Sequence, residues 1–137
     1  MTADLVVGLG ARPGVRAADV RAAVRELLDT YALEPAAVRA YATLDTRAGE
    51  PGLRAVTGPA LLAYPADVLA AVAVPNPSSL VAAAVGTPGV AEAAALYAAG
   101  QLARPGGTAE LVAAKLTGIG VTAAAARIHP VGAVRAP

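Results

Sequence analysis

Phenylalanine, tryptophan and cysteine are all missing from this chain, and that absence limits what it can fold into more than any residue it contains. A core has to be assembled from Ala, Val and Leu, whose side chains are short. Helices and strands made of them must approach one another closely to reach the density of a protein interior. The chain has 137 residues, enough to bury such a core as one domain. Without cysteine there is no disulfide, no thiolate metal site and no thiol nucleophile.

The charge balance excludes other classes. A formal net charge of +1, with arginines scattered along the chain, argues against a nucleic-acid partner held by phosphate neutralisation. No window approaches the roughly 18 uninterrupted apolar residues of a membrane span. Met1 to Gly10 lacks the basic start and apolar run of a signal peptide, so a soluble, cytoplasmic protein with no membrane partner is expected.

Asp4 to Gly10 reads as a buried first strand ending in glycines. Gly8-Leu-Gly10-Ala-Arg12-Pro-Gly14 follows. It is a poor dinucleotide fingerprint, because the last glycine falls one position late, Pro13 interrupts the turn and the acid Asp45 comes far too late. The glycines instead predict a sharp strand-to-helix turn, suited to lie close to a ligand. From Ala17 to Tyr31 the pattern is helical, with Val20, Val24, Leu27, Leu28 and Tyr31 on one stripe. Val38 to Leu44 alternates, which predicts a strand with Val38, Ala40, Ala42 and Leu44 on one side.

Thr43 to Glu50 is the most polar patch and lies beyond a strand's C-terminal end, where open α/β sheets place their sites. Asp45, Arg47 and Glu50 there suit either chemistry or a capping and salt-bridge cluster that fixes the next turn. Pro51 suits a first helical position, with a short helix to about Val56. Ala60 to Tyr64 reads as a third strand and Asp67 to Val72 as a small helix.

Val74 to Gly100 reads as an extended turn and two short helices, starting near Ser78 and Gly89. Ser78 caps the first, and Glu92 falls at the third position of the second, where a carboxylate meets free N–H groups. This predicts either a packed αα corner or two helix N-termini facing an anion. Leu102 to Thr108 is a loop. Leu111 to Leu116 and Val121 to Ile128 are strands joined by a tight turn at Gly118-Ile-Gly120. Lys115 is an edge residue able to reach an anion. Residues 129–137 read as a flexible tail whose His129 is incidental, leaving a domain over 1–128.

Four motifs together resemble a known family: GLGARPG, ATLDTRAGEPGL, NPS…VGTPGVAEAAALYAAG, and Lys115 followed by TAAAAR ending at Arg127. In this order they resemble the CobE family, homologous to the C-terminal domain of CbiG, from corrin-ring (cobalamin) biosynthesis. The resemblance implies an α/β fold: a single three-layer domain, with a mixed central sheet of about five strands and helices on both faces. It also implies a role in the tetrapyrrole pathway to vitamin B12. The chain departs from the family at four places. Ala11 stands where a cysteine is common, Pro13 where a base is, Arg47 where lysine is usual and Gly89 where serine is frequent. A cysteine nucleophile is therefore excluded here, and the cap opposite Glu92 lacks its hydroxyl.

CbiG-type proteins open a lactone on a ring-contracted precorrin and release acetaldehyde, but the resemblance covers only their C-terminal part. Three roles follow. The first is binding or delivering a precorrin-type tetrapyrrole intermediate, with Gly10, Arg12, Gly14, Arg47, Ser78, Gly89, Glu92 and Lys115 as the binding set. The second is a hydrolase-type reaction at the lactone or acetyl group, with Asp45 or Glu50 as the base. The third is a scaffold partner of another corrin-pathway enzyme. No cofactor and no metal site is expected, since any cobalt would arrive inside the macrocycle.

Overall fold

The computed structural model describes residues 3–74 and 89–130. Ser78, and with it the first of the two expected helix starts, lies outside the described residues. The elements follow in the order β1 (Leu5–Ala11), α1 (Ala17–Thr30), β2 (Val38–Leu44), α2 (Pro51–Thr57), β3 (Leu61–Tyr64), α3 (Ala66–Ala70), α4 (Val90–Leu102), β4 (Thr108–Thr117) and β5 (Val121–His129). The strands form one sheet in the order β3-β2-β1-β5-β4. β1, β2 and β3 run parallel, while β5 is antiparallel to both β1 and β4.

Helices cover both faces, as the family resemblance implied. Val20, Val24, Leu27 and Leu28 of α1 and Leu53 of α2 pack on Val7, Leu9, Ala123 and Ala125. On the other face, Ala94, Ala95, Ala98 and Ala99 of α4 meet Val6, Ala42, Ala126 and Ile128. The four alanines from Ala123 to Ala126 are wholly buried, which lets both layers close on the middle of the sheet. α4 is apolar nearly all round because it packs across β1, β5, β4 and β2. Gly8 makes its approach possible: a Cβ there would overlap the Ala91 carbonyl oxygen and sit 2.8 Å from the Ala95 nitrogen.

Two expectations need correction. Val38 packs with the α1 layer, whereas Ala42 and Leu44 pack with the α4 layer. The cause is a register shift between Leu5 and Val6 in the β1–β2 pairing, which breaks the period of two. His129 belongs to β5 rather than to a tail. It pairs with Thr108 across the ladder, and its Nε2 lies 2.7 Å from Glu110 Oε1.

Tyr41 of β2 is half-buried, and burial raises its hydroxyl above the ordinary value of 10.0. Tyr64 is raised by burial first and by its neighbour Tyr97 second; the two rings meet edge to face at 4.8 Å. A raised tyrosine stabilises the fold fully below its unfolded pKa and loses that contribution as pH rises through the folded one. Stability should therefore decline above about pH 10. Urea midpoints across that range should fall less steeply in Tyr41→Phe than in the unaltered protein.

Candidate functional site

Because β1 to β3 are parallel, their C-terminal ends share one edge of the sheet. β1 lies between a parallel neighbour, β2, and an antiparallel one, β5, so the parallel run of the sheet ends at β1. Open α/β sheets place ligand crevices at such points.

The glycine turn after β1 is held from two sides. Toward β5, the Arg12 N–H donates to the Gly120 carbonyl at 2.9 Å. A Cβ on Gly10 would come within 2.7 Å of Thr122 Oγ1. From the segment after β2, Arg47 Nε donates to the Ala11 carbonyl at 2.9 Å. Glu50 Oε1 accepts from the Gly14 N–H at 2.8 Å, and Gly14 has φ +79°, a conformation that suits glycine. Arg47 and Glu50 thus grip the two sides of one turn. Both bonds reach back to the turn after β1, not to the turn that follows Glu50. Asp45 is exposed and opens a single 3₁₀ turn that ends at Arg47; its carbonyl accepts from the Ala48 N–H.

Between this turn and the β4–β5 hairpin opens a cleft of about 270 Å³, with Gly10–Arg12 on one wall and Thr117, Gly118 and Gly120–Thr122 on the other. Arg12 is exposed at it. The start of α4 borders the same end of β1, since a Cβ on Gly10 would lie 3.8 Å from Val90. Gly89 takes φ +90° and provides no side-chain cap.

Glu92 differs from expectation. It is 8 % exposed, and its Oε2 accepts from the Lys115 backbone N–H at 3.3 Å. The β4–β5 ladder shifts register between Ala113 and Leu116, and Lys115 lies within that shift. The carboxylate therefore ties α4 to an irregular stretch of β4, not to the free amides of its own first turn.

The structure thus gathers Gly10, Arg12, Gly14, Arg47 and Glu50 around one turn, with Gly89 at the nearby start of α4 and Glu92 turned to β4 instead. Lys115 takes part through its backbone. The hairpin wall, from Thr117 to Thr122, was legible in the sequence only as a connection between strands. Its signal was the run Thr-Gly-Ile-Gly-Val-Thr, where an apolar residue sits between two glycines. Among the described residues, no group of three His, Cys, Asp or Glu side chains is placed to hold a metal ion. No helix among them is long and apolar enough to cross a membrane.

Residues 5–126 match the family model described as "Cobalamin synthesis G C-terminus". The chain belongs to the CobE and CbiG C-terminal family. Its members are cobalamin biosynthesis proteins. Protein CobE of a Sinorhizobium species is 38% identical over 130 residues, covering 90% of this chain and 80% of that protein. The crystal structure of CobE, a protein from the cobalamin (vitamin B12) biosynthetic pathway, superposes with a TM-score of 0.76. It is 32% identical, over 90% of this chain and 92% of that one. The cobalamin biosynthesis protein chiG from Agrobacterium tumefaciens gives a TM-score of 0.65 at 33% identity, covering 90% and 97%. A cobalamin biosynthesis protein G homologue from Sulfolobus solfataricus shares the fold, with a TM-score of 0.66 at 18% identity. There the match spans 90% of this chain and only 36% of the longer protein.

Proposed function

We propose that the protein binds a precorrin-type tetrapyrrole intermediate and holds or delivers it within the corrin pathway. The observation that carries this reading is the cleft of about 270 Å³ between the glycine turn and the hairpin, with Arg12 exposed at it. Small-ligand pockets usually enclose about 300–1,000 Å³. A cleft below that range suits one acetate or propionate arm, with the flat ring lying across the rim. Arg12 supplies a charge-assisted donor for the arm, and the start of α4 adds a favourable dipole nearby. Arg47 and Glu50 serve by keeping the turn, and hence Arg12, in place. Gly10 and Gly14 let the backbone come close to the arm.

The hydrolase alternative, at the lactone or acetyl group of a ring-contracted precorrin, shifts its base to Asp45. Glu50 is engaged with the Gly14 amide, whereas Asp45 is exposed. Asp45→Asn should then abolish release of the two-carbon fragment, and full turnover by that variant removes the proposed base.

The binding reading is tested by titrating the protein into a metal-free corrin polycarboxylate and following its visible absorption. Saturable binding at micromolar protein is expected. Arg12→Ala should weaken it about tenfold and reduce its sensitivity to salt. A flat titration at micromolar protein overturns the proposal.

A further inference from the structure

We infer that Ile119, at the tip of the β4–β5 hairpin, is an apolar rest for the face of the macrocycle whose carboxylate arm enters the cleft. The inference rests on the binding reading above and assigns a residue to the ring itself.

Ile119 is 75% exposed, while Tyr31, the other exposed large hydrophobic among the described residues, is 38% exposed. An isolated apolar side chain on a surface is ordinary, but this one is held out on a rigid support. The Gly118 N–H donates to the Val121 carbonyl at 2.7 Å, and the Gly120 carbonyl accepts from Arg12. A Cβ on Gly118 would lie 3.2 Å from the Ala23 Cβ and 3.3 Å from Val121 Cγ1, so that side of the turn is pressed onto α1. Gly120 adopts φ +71°, which larger residues rarely take. The two residues flanking Ile119 are therefore fixed, and both line the cleft.

The cleft's size then decides what Ile119 meets. A ligand larger than about 270 Å³ must continue past the rim, and the hairpin tip is part of that rim. Arg12, bonded through its amide to the same hairpin, supplies charge at the opposite wall. A flat apolar ring edged with carboxylates matches a cation on the cleft wall and an aliphatic group projecting from the turn between two of the lining residues. A small inorganic anion would use Arg12 and leave Ile119 untouched.

The test uses the full chain and a metal-free corrin polycarboxylate, titrated over a range of salt concentrations. Ile119→Ser should raise Kd about tenfold, the loss expected when a buried aliphatic contact disappears. Ile119→Leu should stay within about twofold of the unaltered protein, since it keeps the apolar contact. Neither variant should alter the salt dependence, in contrast to Arg12→Ala, because no charge is removed. Melting temperatures should stay within about 2 °C, as expected for an exposed position. Unaltered affinity in Ile119→Ser, when the parent protein binds saturably, overturns this inference and leaves the binding reading standing. Absence of binding by the parent protein overturns both.

Discussion

Gly8→Ala should lower stability by about 3 kcal/mol or more, the upper part of the range for an overpacked core. The new Cβ would overlap the Ala91 carbonyl oxygen and approach the Ala95 nitrogen at 2.8 Å. Both neighbours are backbone atoms of α4, so no side chain can turn aside. Either α4 lifts from β1 or the sheet buckles, and both open gaps among alanines too short to fill them. Thermal unfolding should show a melting temperature lower by about 10 °C. Gly100→Ala is the matched control. Gly100 lies near the end of the same helix, is exposed, and has nothing within 4 Å of an added Cβ. It should gain about 0.5–1 kcal/mol from the better helix former. Equal melting temperatures for Gly8→Ala and the parent would contradict the close contact between α4 and β1.

Gly52→Ala should have an effect of similar size by a different route. Gly52 is buried in the first turn of α2, and its added Cβ would overlap the Val15 carbonyl oxygen, 2.9 Å from the Val15 carbon and 3.2 Å from the Ala17 nitrogen. Those are backbone atoms where the chain enters α1. Relieving the overlap moves the start of α2, which directly follows Glu50, away from the glycine turn. The loss of stability should again reach about 3 kcal/mol, and the titration with a corrin polycarboxylate should weaken along with it. Gly49→Ala, three residues earlier, meets nothing within 4 Å and should leave both unchanged. Denaturant midpoints and Kd values for the pair separate crowding at α2 from a general effect of replacing glycine in this segment.

Much of the fold was legible because its local signals agree. The bounds of β2 follow from Val38 to Leu44 as expected, and Pro51 opens α2 as a proline at the first helical position should. The absence of phenylalanine and tryptophan correctly demanded close layers, and Gly8 is a place where that demand is strict. What escaped the sequence depends on register and reach. An irregular pairing with β1, not the pattern of β2 itself, decides the side on which Val38 packs. The tasks of Arg47 and Glu50 were undecidable locally, since each bonds to a residue 36 positions away. The position of Glu92 points to the N–H groups of its own helix, where a carboxylate is ordinarily useful, yet its hydrogen bond goes to a strand 23 positions on. The cleft escaped for the same reason: one wall comes from β1 and the other from a hairpin more than a hundred residues later in the chain.

The irregular ladder of β4 bears on how the protein behaves at high concentration. β4 is ten residues long and ends the sheet. A straight edge of that length offers a row of unpaired backbone groups on which a second copy can add a strand. Two register shifts along β4 bend that row out of line, and Glu92 occupies the Lys115 amide within the second of them. An incoming strand therefore finds a template of mismatched spacing.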